Sequence, residues 1–196
     1  MKSVLISIKP KWCQMIASGK KTVEVRKTVP KLEPPFKCYI YCTQGEMLTY
    51  NEYCGYDMTD YREDFAANGK VIAEFVCSKI CAVLAHPSIF AGKSMFFQYA
   101  VDAACLTQDE VEQYSGGKDV AGFVISDLKV YDKPKPLRRF HKPCPYKLPD
   151  GSRMDVPCPC DKYTHDFDEE SGLIYCTRRI KRPPQSWCYV EELRNE

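Results

Sequence analysis

The first strong pattern in the chain is SVLISI, residues 3–8, apolar and rich in β-branched side chains. Such residues pack well on a pleated surface, so a strand is expected there. Pro10 follows, a residue suited to the first turn of a helix. Trp12, Met15 and Ile16 then recur at helical spacing, and Gly19 can supply a left-handed cap. The pattern predicts a helix to about Ser18 and a turn after it. From Thr22 to Lys27 the period changes to two: Val23 and Val25 point one way, and Thr22, Glu24 and Arg26 the other.

Pro30, Pro34 and Pro35 predict a loop. FKCYIYCT, residues 36–43, predicts a strand in which Tyr39 and Tyr41 alternate with Cys38, Ile40 and Cys42; one set must face the core. Residues 44–68 are polar and weakly patterned, an excursion between elements. KVIAEFVCSKICAVL, residues 70–84, predicts one long, bent or bulged strand, and Met95–Ala104 a helix. Thr107 and Glu110 have the spacing of a capping box, with Gly116-Gly117 as the stop. DVAGFVISDLKVY, residues 119–131, predicts another strand, and Trp187–Val190 the last. Between them lies a segment, residues 133–182, rich in proline, lysine, arginine and cysteine but poor in periodicity. Five or six strands that do not alternate with helices argue for a single α+β domain over residues 1–196. The expected form is a small mixed β-barrel with peripheral helices and an irregular Cys/Pro-rich elaboration.

Composition sharpens this picture. Hydrophobic residues make up 44% of 196, a globular proportion. No stretch approaches the roughly 20 apolar residues that span a bilayer, and no export signal is visible, so a cytoplasmic protein without a membrane partner is expected. Net charge is only +2, but eight bases between Lys9 and Lys37 face just Glu24 and Glu33. A second basic tract, Lys129 to Lys147, holds seven bases against Asp132, and Arg178 to Arg182 adds four more. Prolines at 134, 136 and 143 suggest that the second tract is an extended arm. Such tracts suit a surface that follows a phosphate backbone.

Twelve cysteines without an export signal read as free thiols or metal ligands rather than disulfides. Cys144, Cys158, Cys160 and Cys176 fall in the least periodic region; four thiolates there can hold a structural zinc, with His165 able to replace one. Free thiols are the other reading of the same four. Cys38, Cys42, Cys77 and Cys81 sit on strands and read as buried side chains.

SIKPKWCQMIASGKKTVEVRK, residues 7–27, resembles the start of an ASCH domain, a relative of PUA and YTH-type RNA-binding barrels. The carrying residues are Ser7-Ile8-Lys9-Pro10 and the G-x-K-x-x-E-x-R pattern of Gly19, Lys21, Glu24 and Arg26. GKVIAEF, residues 69–75, is similar to a later strand of the family, and RPPQSWCYV, residues 182–190, to the last strand of phage- and prophage-type bacterial members. The resemblance implies a PUA-like barrel, a cleft beside the first helix, and RNA, single-stranded nucleic acid or a nucleoside-like small molecule as ligand. Lys9, Lys21, Thr22, Glu24 and Arg26 are the expected binding residues. It also leaves open a hydrolase acting on nucleic acid or a modified nucleoside, with Lys21 and Glu24 catalytic. Some small bacterial members are amidohydrolases of acetylated cytidine, with a lysine at the position of Lys21 and a threonine nucleophile at that of Glu24; others resemble metal-assisted ribonucleases. A carboxylate has no hydroxyl for a base to activate, so the chain departs from the amidohydrolase pattern at that position.

Glu24 therefore has three readings. It orders the cleft floor by pairing with Arg26 or Lys21, it accepts hydrogen bonds from a base edge while the cations bind phosphate, or it moves protons or holds a metal in hydrolysis. Trp12 has two: a core residue in line with Met15 and Ile16, or a platform for a base.

Overall fold

The computed structural model describes residues 2–45, 67–83, 100–143 and 179–193, and the backbone alone of 165–168 and 173–176. Most of the 44–68 excursion, the first part of the Met95–Ala104 helix and the Cys144, Cys158 and Cys160 positions lie outside the described residues. Among the described residues, no helix is long and apolar enough to cross a membrane.

The chain runs β1 (Lys2–Ile8), α1 (Pro10–Ala17), β2 (Val23–Arg26), β3 (Phe36–Cys42), β4 (Lys70–Val83), α2 (Gln108–Ser115), β5 (Val120–Pro136), β6 (His165–Asp168), β7 (Leu173–Cys176) and β8 (Trp187–Glu191). Six strands form one sheet in the order β2-β5-β4-β3-β1-β8, while β6 and β7 pair as a separate ribbon. Only the β1–β3 pairing is parallel; every other neighbour in the sheet is antiparallel. This is the mixed α+β sheet that the pattern predicts.

β4 and β5 carry most of its curvature. Their register shifts at three places, each a bulge that increases bend and twist. The sheet curls until its edge regions meet through side chains: Arg26 of β2 donates to the Ser7 carbonyl of β1 at 2.8 Å, and Trp187 of β8 donates to the Thr28 carbonyl at 3.1 Å. The result is a curled, mostly antiparallel sheet in which side chains, rather than a strand ladder, bridge the last gap.

Three apolar clusters follow from strand alternation. Val4, Ile6, Cys38, Ile40 and Phe75 form the first, with Cys13 and Ile16 of α1 against them. Leu5, Tyr39, Tyr41 and Val190 face the other way and are covered by Phe140 and Ile180. Val23 and Val25 of β2 join a third with Val83, Ala104, Val111 and Val120. The tyrosines of β3 thus lie on the face opposite α1 and do not line a cleft beside it.

β5 is longer than the sequence suggests. The pattern ends it at Tyr131, with an arm beyond; the strand continues to Pro136, Val71 pairing with Lys135 and Lys70 with Pro136. β2 reaches only residues 121–124 of β5, so among the described residues β4 is its sole partner at the later prolines. A one-sided strand tolerates a missing donor. β6 and β7 arise in a region with no readable period.

Candidate nucleic-acid interface

The end of α1 sets the geometry. Gly19 adopts φ +74°, the left-handed conformation that glycine takes without strain. The chain then turns back: Lys21 N donates to Met15 O at 2.9 Å, and Thr22 N to Ala103 O at 2.8 Å. The Thr22 carbonyl accepts from Ile125 N at 2.9 Å, which starts β2 against β5. Lys21 is thereby directed inward.

Lys21, Glu24 and Arg26 form a buried ion cluster. Their side chains are only 3%, 8% and 8% exposed. Arg26 Nη2 lies 2.8 Å from Glu24 Oε1, and Lys21 Nζ 3.5 Å from Glu24 Oε2. Two carbonyls assist: Lys21 Nζ donates to Ala104 O at 2.6 Å and Arg26 Nη2 to Ser7 O at 2.8 Å. Arg26 Nε is buried with no hydrogen-bond partner among the described residues. Two cations thus share one carboxylate. Burial pushes the Lys21 ammonium below its ordinary pKa of 10.5, against the pull of Glu24.

Around the cluster the residue types change. Trp12 is half-buried against the first apolar cluster, with the Lys11 ammonium 4.5 Å and the Lys21 ammonium 5.1 Å from its ring centroid. It therefore has both of its sequence readings at once, a packed edge and a ring among cations. Lys9, Lys11, Lys20 and Lys27 are exposed. Lys9 caps α1, its carbonyl accepting from Trp12 N and Cys13 N at 3.0 Å. Thr22 is exposed and precedes β2, so it does not join the buried cluster.

Sequence reasoning did not find the Ser7 and Ala104 carbonyls or Cys13. Carbonyls leave no trace in residue identity. Cys13 donates to the Ile8 carbonyl at 3.5 Å and meets Cys42; burial raises its thiol pKa well above the ordinary value, and its hydrogen bond lowers that of Cys42. Only the backbone of Cys176 is described, and the described residues hold no cluster of three or more metal-ligating side chains.

No family profile and no curated protein matches the chain. Among solved structures, it is similar to an ASCH protein. That protein, from Zymomonas mobilis, is 20% identical over 69% of this chain and 73% of its own, with a TM-score of 0.48. Two mutants of the same protein are also 20% identical. One covers 70% of this chain and 77% of its own at a TM-score of 0.47, the other 69% and 74% at 0.46.

Proposed function

We propose that the chain is an ASCH-type binding module for RNA or single-stranded nucleic acid, with its cleft between α1 and the start of β2. The observation that carries this reading is the charge imbalance inside the Lys21, Glu24 and Arg26 cluster. Leaving a buried donor unsatisfied costs about 1–3 kcal/mol. Arg26 Nε is such a donor, in a group where cations outnumber carboxylates. A phosphate held at the exposed rim of Lys9, Lys11, Lys20 and Lys27 offsets that excess charge through space, while Arg26 Nε itself stays enclosed. Trp12 offers a ring face for a base, and the exposed lysines can pair with phosphates. The Glu24 carboxylate, held by both cations, orients them toward that ligand.

A second reading keeps the same residues but adds turnover of a modified nucleoside. It is favoured by the geometry of Lys21, whose ammonium is held 2.6 Å from the Ala104 carbonyl and 3.5 Å from Glu24 Oε2, a cation and a carboxylate side by side. Fluorescence anisotropy with short labelled RNA and DNA strands at two salt concentrations tests binding, and product analysis of the same samples tests turnover. The Lys9→Ala/Lys11→Ala variant removes only exposed charge, so its fold is expected to be intact. Its salt slope is expected to fall by about 0.7 for each phosphate that is no longer neutralised. Unchanged affinity and slope in that variant and in Arg26→Gln would remove this cleft from consideration.

A further inference from the structure

On the face away from α1, the described residues form an open pocket of about 730 Å³ lined by Lys142, Arg179, Ile180, Lys181, Arg182, Pro184 and Cys188. Its volume falls within the roughly 300–1,000 Å³ of small-molecule sites. Four of the bordering side chains are cationic, and no carboxylate is among the described ones.

The walls are fixed by backbone rather than left to loose surface lysines. His141 and Arg179 form a β-bridge, and Ile180 N donates to Phe140 O at 2.7 Å. Glu191 N donates to His141 O at 2.9 Å, tying this bridge to the end of β8. On the other side, Ser7 holds the 184–186 turn through Ser7 Oγ to Pro184 O at 2.6 Å and Ser7 N to Ser186 O at 3.0 Å. Segments far apart in sequence thus present their cations around one space. The floor is apolar and continuous with the second core cluster through Ile180 and Cys188. Burial raises the Cys188 thiol pKa, while the Lys142 charge pulls it down, as expected if that ammonium borders the same space.

We infer that this cavity is a second, separate ligand site that holds a phosphate group. With the nucleic-acid reading above, on which the ligand's identity rests, that group belongs to the backbone of the bound strand. An apolar floor ringed by lysine and arginine suits a phosphate with its sugar, since the cations neutralise the oxygens and the floor takes the carbon skeleton.

Amine footprinting tests it. The exposed Lys142 and Lys181 are acylated with a small reagent, with exposed Lys118 as reference, and each site is read by peptide mass spectrometry. Inorganic pyrophosphate is the first probe and a single-stranded oligonucleotide the second. Both are expected to slow acylation at Lys142 and Lys181 relative to Lys118. Arg182→Ala is expected to weaken that shielding and to lower the oligonucleotide salt slope by about 0.7. Shielding by pyrophosphate in a protein that binds no oligonucleotide supports the phosphate site and rejects the nucleic-acid reading. Equal acylation with and without both probes overturns the pocket, even where the strand binds beside α1. Equal shielding in wild type and Arg182→Ala overturns it as well.

Discussion

At Glu24 one carboxylate holds two cations in a place that water scarcely reaches. Removing one member of a buried charge group typically costs about 3–5 kcal/mol, because the rest remain buried without compensation. Glu24→Gln keeps the shape but loses the charge, and its unfolding free energy, measured by urea titration, is expected to drop by that order. A loss under about 1 kcal/mol would show that the cluster is hydrated and behaves as a surface pair. The spacing of Lys21, Glu24 and Arg26 is legible in the sequence, and so is the pairing it permits. Their burial is not, since it depends on the Ala104 and Ser7 carbonyls, distant in sequence, arriving at the same point. Thr22 illustrates the converse. Period two places it with Glu24 and Arg26, but it lies at the exposed end just before β2 and stays outside the buried cluster.

Elements with an internal period are the ones that the sequence announces. β1, α1, β3 and the capping box of α2 occur where their patterns place them; Thr107 Oγ1 accepts from Glu110 N at 3.2 Å, and Thr107 N donates to Glu110 Oε2 at 2.8 Å. The end of β5 is not announced, because its prolines argue locally for an arm and only the one-sided pairing with β4 permits a strand. β6 and β7 carry no readable alternation. The roles of the tyrosine and cysteine faces on β3 are equally hidden, since both are buried: Cys38 and Ile40 pack against α1, while Tyr39 packs with Leu5 and Phe140, whose ring lies edge-on at 5.0 Å. Gly122 reports how closely β2 and β4 approach β5. A Cβ there would lie 2.7 Å from both Cys81 Sγ and a Val23 methyl. Gly122→Ala is therefore expected to destabilise by about 1–3 kcal/mol through overpacking, visible as a lower thermal midpoint. An unchanged midpoint would mean that β2 can shift without cost.

Across the whole molecule, the curled sheet separates two basic regions. One surrounds the buried cluster beside α1, and the other surrounds the cavity beneath β8. The near-neutral net charge of +2 conceals both, because acids elsewhere balance them. Distribution rather than total charge decides what such a surface attracts. The most direct test of the cleft is photochemical cross-linking of a short single-stranded RNA to the intact protein, with the cross-linked peptides sequenced by mass spectrometry. Cross-links at Trp12 and elsewhere within residues 9–27 are the expected result. A bound strand that cross-links only outside this stretch, or an RNA that does not bind at all, would contradict the account.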